Sequence, residues 1–239
     1  MSVKPAFANS VSPSPRRQIP PTPPHPLERI DALATSVRFH RNQEIYIEGQ
    51  PANHIYRMVA GAARKCVLHA DGRRQIVDLL LPRDFFGLIS GETYDFTVEA
   101  ITEGTTVAHY DRHRVELMAE SNPELARDLR AISLQTMNRI QAQLLIMGRI
   151  TALEKVSSFV LAMAARTSSD SSNRVVLPVS RYDIADYLAV SVETVSRSLT
   201  DLRQRGLIAL SGTRTVKIVD RDALEDGEPS HEGIASPLV

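Results

Sequence analysis

The sequence predicts an α+β protein made of an N-terminal antiparallel β-roll, a long helix and a C-terminal winged helix-turn-helix. Three observations predict it. Between Phe39 and Tyr110 the chain falls into short runs rich in Val, Ile and Tyr, divided by turn formers and lacking a helical period. From Asn122 the apolar spacing changes to that of a long helix. Beyond Arg174 a strand, two short helices and a hairpin follow each other closely.

Residues 1–26 hold Pro5, Pro13, Pro15, Pro20, Pro21, Pro23, Pro24 and Pro26 of the 14 prolines in the chain. Proline at this density forbids helix and ladder pairing, so a disordered Pro-rich arm is expected. Residues 27–121 are assigned to the roll. Its segments EIYIEG, HIYRMVAG, ARKCVLHADGRRQIVDLLLP and TVEAITEGTTVAHY are separated by Gly49-Gln50-Pro51, Gly61, Asp71-Gly72 and Glu103-Gly104. Asp71-Gly72 between two apolar runs is a hairpin signal. Regular short strands with no helix between them form a small antiparallel barrel or roll.

Residues 122–149 are assigned to the long helix. Asn122 is a good N-cap and Pro123 suits the first helical position. Leu125, Leu129, Ile132, Met137, Ile140, Leu144 and Met147 make an apolar stripe, with a stutter between Ile132 and Met137. A helix of about 26 residues is about 39 Å long, more than is needed to cover a roll. Near-heptad spacing on such a helix favours pairing with a second copy, and these seven residues are the expected homodimer interface. Packing on its own domain is the alternative.

Residues 150–221 open with a second helix, whose face is Leu153, Val156, Phe159, Val160 and Met163. A strand RVVLPV, a helix RYDIADYL, a short turn and a helix VETVSRSLTDLRQR follow. Gly206 is expected to be the left-handed residue that ends the last helix. LIALSG and TVKIVD then make a hairpin around Ser211-Gly212-Thr213. Residues 222–239 carry Asp222, Glu225, Asp226, Glu228 and Glu232 with no Lys or Arg, and read as a solvated acidic tail.

Composition excludes several classes. A single cysteine, Cys66, rules out a disulfide framework and any multi-cysteine zinc or iron–sulfur site from this chain alone. No apolar run approaches the roughly 20 residues of a membrane span, and no signal-peptide stretch opens the chain, so a cytoplasmic protein is expected. A phosphate-binding glycine loop and a nucleophile elbow are missing, and the histidines are scattered, so no enzyme is expected. The 28 basic and 28 acidic residues sum to zero, which argues at first against nucleic acid. The distribution reverses that inference. Arg174 to Arg221 contains 8 basic and 5 acidic residues, a local +3, and the acidic tail offsets it.

The informative segment runs from Ser180 to Arg205. Ile184, Leu188, Val195 and Leu199 supply contacts between two short helices, Ala185 allows close approach, and Ala189-Val190-Ser191 has the length of the connecting turn. Val192, Glu193, Ser196 and Arg197 share one face of the second helix. Arg197 can donate two hydrogen bonds to guanine, Glu193 can accept from the cytosine amine, and Val192 or Ser196 can touch a thymine methyl or a phosphate. A Glu–Arg pair at i,i+4 is also common on solvated helices. The turn, the small residue and the wing decide for DNA base reading. Arg174, Arg181, Arg203, Arg205, Arg214 and Lys217 are the phosphate candidates.

The segment DIADYLAVSVETVSRSLTDLRQRGLI resembles the DNA-binding signature of the cyclic-AMP-receptor/fumarate-nitrate-regulator (CRP/FNR) family of bacterial transcription regulators. The segment EGQPANHIYRMVAGAARKCVLHADGRRQIVDLLLPRDFFG resembles its cyclic-nucleotide-binding-type β-roll, and the order of parts agrees over about residues 28–220. The resemblance implies a homodimer on double-stranded DNA that contacts RNA polymerase. Glu193, Ser196 and Arg197 match a Glu-x-x-Ser-Arg reader, which implies a palindrome with TTGAT or TTGAC half-sites. Ala189 departs from the glycine usual in the turn, at up to about 1 kcal/mol if it is left-handed.

The family's known sensors are not matched. Leu88 and Thr97-Val98 stand where the resemblance implies the Glu and the Arg-Ser pair of a cyclic-AMP cassette. Gly87 and Ile89 stand where haem-binding members carry their ligands, and four cluster cysteines are lacking. No cofactor and no metal site is expected. The pattern resembles the FixK-like branch, which implies an activator of microoxic, anaerobic or nitrogen-fixation genes controlled through its own synthesis. The rival reading keeps the DNA output and adds a small-molecule or redox effector in the roll, with Cys66 as the redox thiol.

Overall fold

The structure, a computed structural model, describes residues 28–167 and 173–226. The Pro-rich arm and most of the acidic tail lie outside them. After a 3-10 turn at Glu28–Leu33, the roll is built from β1 (Thr35–Phe39), β2 (Glu44–Tyr46), β3 (His54–Ala60), β4 (Ala63–Leu68), β5 (Arg74–Leu80), β6 (Phe85–Phe86), β7 (Thr97–Ala100) and β8 (Thr105–Asp111). These form two antiparallel sheets, ordered β1-β8-β3-β6 and β2-β7-β4-β5. Inward residues of both sheets, among them Tyr46, Met58, Leu80, Phe86 and Val98, fill the space between with Tyr94 of the β6–β7 connection. Tyr46 stacks on Tyr94 at 3.8 Å and Tyr56 on Phe86 at 5.1 Å between ring centroids.

The expected turns close these strands. At Asp71-Gly72 the His69 amide donates to the Arg73 carbonyl at 2.9 Å, and Gly72 takes a φ of +83°. At the β3–β4 turn Gly61 has a φ of +82°, and a Cβ there would stand 2.8 Å from the Cα of Thr105. Only glycine fits both conditions.

Part of what was assigned to the roll is helical. α1 (Arg112–Ser121) starts at Asp111, whose carboxylate accepts from the Arg114 amide at 2.8 Å. Val115 alone is buried on it, so the apolar period was too thin to read. α2 (Pro123–Met147) follows with the expected cap, Asn122 Oδ1 accepting from the amides of Glu124 and Leu125.

The apolar stripe of α2 is corrected by the structure: it is two stripes. Leu125 and Ile132 are fully buried in this chain's own core beside Ile30, Ile55, Phe85 and Tyr110, and Leu129 packs half-buried against them. They are therefore not free to form an interface. Met137, Ile140 and Leu144 are 48%, 43% and 68% exposed, and Met147 is half-buried. The stutter explains the division. Five residues at about 100° each rotate the stripe by about 140°, from the roll toward solvent. Leu134 and Leu145 extend the exposed part.

α3 (Ala152–Thr167) buries Val156, Phe159, Val160 and Met163, as its spacing predicts. Beyond it come β9 (Arg174–Val176), α4 (Arg181–Leu188), α5 (Val192–Gln204), β10 (Ile208–Ser211), β11 (Thr215–Ile218) and α6 (Arg221–Asp226). The strands form one sheet, ordered β10-β11-β9. α6 corrects the start of the acidic tail. Ala223 and Leu224 are buried in the core formed with α3, and the Asp220 carboxylate accepts from the Ala223 amide at 3.0 Å. The two apolar side chains anchor this segment despite its charge. One core cluster joins Cys66, Ile76 and Leu79 of the roll to Met163, Tyr187 and Leu199, so the two units are packed together.

Candidate nucleic-acid interface

The helix-turn-helix is set by local chemistry. Ser180 and Asp183 form a capping box at the start of α4, each side chain accepting from the other's amide. Ala189 ends α4 in the left-handed conformation, at φ 53° and ψ 49°, the case in which alanine is strained. Ser191 caps α5 by accepting from the Thr194 amide at 3.1 Å. Gly206 is left-handed as expected, and the Leu207 amide reaches back to the Leu202 carbonyl at 3.0 Å. Ile184, Ala185 and Leu188 pack with Val195, Leu199 and Leu202 in the core between the helices.

This core fixes which side of α5 faces outward. Val195, Ser198, Leu199 and Leu202 are buried, while Glu193, Ser196, Arg197 and Thr200 are exposed and Val192 is half-buried. The structure thus brings the four sequence-selected readers together on the first two turns. Ser196 Oγ donates to the Val192 carbonyl at 2.9 Å, which leaves its lone pairs outward. The Glu193 carboxyl is held below the usual range by its own backbone amide, then by Ser191 and the Arg197 charge, so it is an acceptor at neutral pH. Among the described residues Arg197 is in no ion pair.

The phosphate candidates divide into three groups. Arg203 is exposed in the last turn of α5, and Arg205 beside it holds the Asp201 carboxylate at 2.9 and 3.0 Å. Arg174 and Lys217 pair in register across β9 and β11. They are exposed on the side of the sheet turned away from the helices, because Val175, Val216 and Ile218 occupy the inner side. They therefore share a face with each other and not with α5. Arg214 is half-buried at the wing turn. Arg181, half-buried at the start of α4, has Nη1 buried without a hydrogen-bond partner, and burial lowers its pKa. Tyr182, exposed beside it, was not selected from sequence; its place in the first turn of α4 was the available signal.

Where the roll meets α2, Lys65, Asp78, Phe86, Leu88, Thr136 and Arg139 line a cavity of about 120 Å³. Pockets for drug-sized ligands run to roughly 300–1,000 Å³. The guanidinium of Arg139 is already held by Asp78 at 2.7 Å and by Asp84 at 3.1 Å. Thr97, where a phosphate-binding arginine would stand, accepts from the Glu48 amide at 3.1 Å. Cys66 is buried, and its thiol is pushed up to about 11, by burial first and then by the charge of Glu99. It is a neutral thiol at pH 7, not a reactive thiolate. Among the described residues no cluster of His, Cys, Asp and Glu is placed to hold a metal ion. No helix among them is long and apolar enough to cross a membrane.

Comparison with known proteins agrees with this geometry. Residues 36–122 match the cyclic nucleotide-binding domain family, and residues 154–226 match the Crp-like helix-turn-helix domain family. The chain is 43% identical over 202 residues to the nitrogen fixation regulation protein FixK of Azorhizobium caulinodans, covering 83% of this chain and 81% of that protein. It is 39% identical over 201 residues to FixK of Rhizobium meliloti, covering 84% and 89%. The solved structure of FixK2 from Bradyrhizobium japonicum superposes with a TM-score of 0.77 at 37% identity, covering 82% of this chain and 98% of that one. The chain belongs to the CRP/FNR family of DNA-binding transcription regulators, as a FixK-like member.

Proposed function

We propose that the chain is a homodimeric, mainly activating regulator that binds a TTGAT/TTGAC-type palindrome upstream of microoxic, anaerobic or nitrogen-fixation genes. The observation that carries this reading is the uncovered first half of α5, where Glu193, Ser196 and Arg197 project together. Arg197 reads the guanine of the G·C pair and Glu193 its cytosine, while Val192 and Ser196 contact a thymine methyl or a phosphate. Arg181, Arg203, Arg205 and Arg214 contact phosphates nearest the helices, and Arg174 and Lys217 contact them from the wing. The names of the FixK relatives support the class of target gene.

Dimerisation uses Met137, Ile140, Leu144 and Met147, whose 3-4-3 spacing continues a heptad seam on the outer side of α2. Pairing there sets two recognition helices about 34 Å apart, one DNA turn, and makes the site palindromic. The engagement of Arg139 by Asp78 and Asp84 supports a regulator without a cofactor between the roll and α2, active once synthesised. Such an activator works in the cytoplasm and contacts RNA polymerase. Selection by the full-length chain from a pool of random duplexes tests the reading. It should enrich TTGAC-N4-GTCAA and TTGAT-N4-ATCAA sequences; enrichment of an unrelated site, or of none, overturns it.

A further inference from the structure

Strand β5 touches both the dimerisation helix and the helix-turn-helix, through adjacent residues. On one side, Asp78 takes three hydrogen bonds from Arg139 of α2, the shortest at 2.7 Å. Gln143 of α2 donates to the Ile76 carbonyl at 3.4 Å. On the other side, Arg74 holds the Asp186 carboxylate of α4 through Nε at 2.9 Å and Nη2 at 2.7 Å. Gln75 Nε2 donates to the Asp186 carbonyl at 2.7 Å, near the end of α4, where helix carbonyls lack partners within the helix. Arg64 on β4 adds a buried bond to Asp183 at 2.8 Å and another to Glu99. Burial opposes the Asp183 charge, but hydrogen bonds from Ser180 and the charges of Arg64 and Arg74 outweigh it, so it stays ionised.

We propose that Arg74, Gln75 and Arg64 are positioning residues for DNA recognition: through β5 they fix the distance between α5 and the dimer axis, and so the spacing of the two half-sites. This rests on the palindrome reading above. The reading face of α5 stays uncovered while the clamp is closed, so the clamp presents the readers and does not mask them. In a two-fold dimer any play between α2 and α4 is doubled between the recognition helices, and half-site spacing is the quantity that records it. The clamp is polar, and its partly exposed pair, Arg74–Asp186, ties β5 to α4, with Asp183 at 3.5 Å and Glu99 at 3.9 Å from the same guanidinium.

The test measures full-length chain on palindromes with N4, N5 and N6 spacers. Wild type should prefer N4, and Arg74→Asp or Asp186→Arg should lower that preference by roughly tenfold. Binding to a single half-site should change less than threefold. The double variant, which re-forms the pair with its charges exchanged, should restore part of the preference, the carboxylates of Asp183 and Glu99 opposing a full return. A merely structural role would lower binding to every duplex alike, half-site included, and leave the spacing preference unchanged. Unchanged spacing preference in the single variants, or no recovery in the double, overturns the clamp. If a charge variant does not fold, Gln75→Ala, which removes one hydrogen bond to α4, makes the same comparison. Spin labels at Leu68→Cys and Gln204→Cys, with Cys66→Ala, follow the clamp without DNA. A narrow distance in wild type that broadens in Arg74→Asp and narrows again in the double variant supports it. A distance that is broad in wild type, or unmoved by the substitution, overturns it. A wild type that selects no palindrome overturns the site reading alone, since the distances still decide the clamp.

Discussion

Replacing Ala189 with glycine should stabilise the protein. Ala189 lies in the left-handed region and is exposed, so removing its methyl group loses little packing. The backbone bonds of the turn need no side chain: the amides of Ala189 and Val190 both donate to the Ala185 carbonyl. A Cβ in this conformation costs about 1–2 kcal/mol, and glycine's greater freedom in the unfolded chain returns about 0.5–1 kcal/mol. The net gain should be about 0.5–1 kcal/mol, or about 1–4 °C in the melting temperature of a chain this size. Urea unfolding of wild type, Ala189→Gly and Ala189→Val measures it, and the β-branched variant should move the opposite way. An Ala189→Gly midpoint at or below wild type would refute the claim that the turn is strained.

Gly61→Ala should destabilise the roll by at least about 2 kcal/mol, since the new Cβ meets the Thr105 backbone as well as a positive φ; denaturant melts read it. The two stripes of α2 should separate experimentally. Leu125→Ala should cost about 2–5 kcal/mol of folding stability. Leu144→Asp should leave the fold intact and shift sedimentation from dimer to monomer. Asp183 has a folded pKa below its unfolded one, so its contribution is complete above a pH of about 4 and is lost as pH falls through the folded value. The stability difference between wild type and Asp183→Asn should therefore be flat from pH 7 to about 5 and shrink below about 4.

The helix-turn-helix was legible to within one residue at its helix ends, α5 stopping at Gln204 where the sequence reading ran to Arg205, because its boundaries are local. Ser180, Ser191 and Gly206 act within one turn of their own position, and the buried set Val195, Leu199 and Leu202 has a clean helical spacing. The hairpin strands were legible for the same reason. β1 was not, because four of its five residues are exposed and no alternation marks it. α1 buries a single residue and has no period to read. The long stripe misled because spacing tells which residues share a direction, not what covers each turn. At the stutter the neighbour changes from the roll to solvent. α6 was hidden by charge: Ala223 and Leu224 sit among carboxylates, yet they decide where the segment goes. The clamp was unreadable, since Arg64 and Asp183 are 119 residues apart.

Whether the outer face of α5 reads bases is decided by one double comparison. Binding of wild type and Arg197→Ala is measured on the TTGAC palindrome and on the same duplex with the G·C pair of each half-site replaced. On the intact site the substitution should cost about 1–3 kcal/mol per half-site, and on the replaced site the two proteins should bind alike. Equal affinity of the two proteins for the intact palindrome, with selectivity unchanged, would contradict the claim.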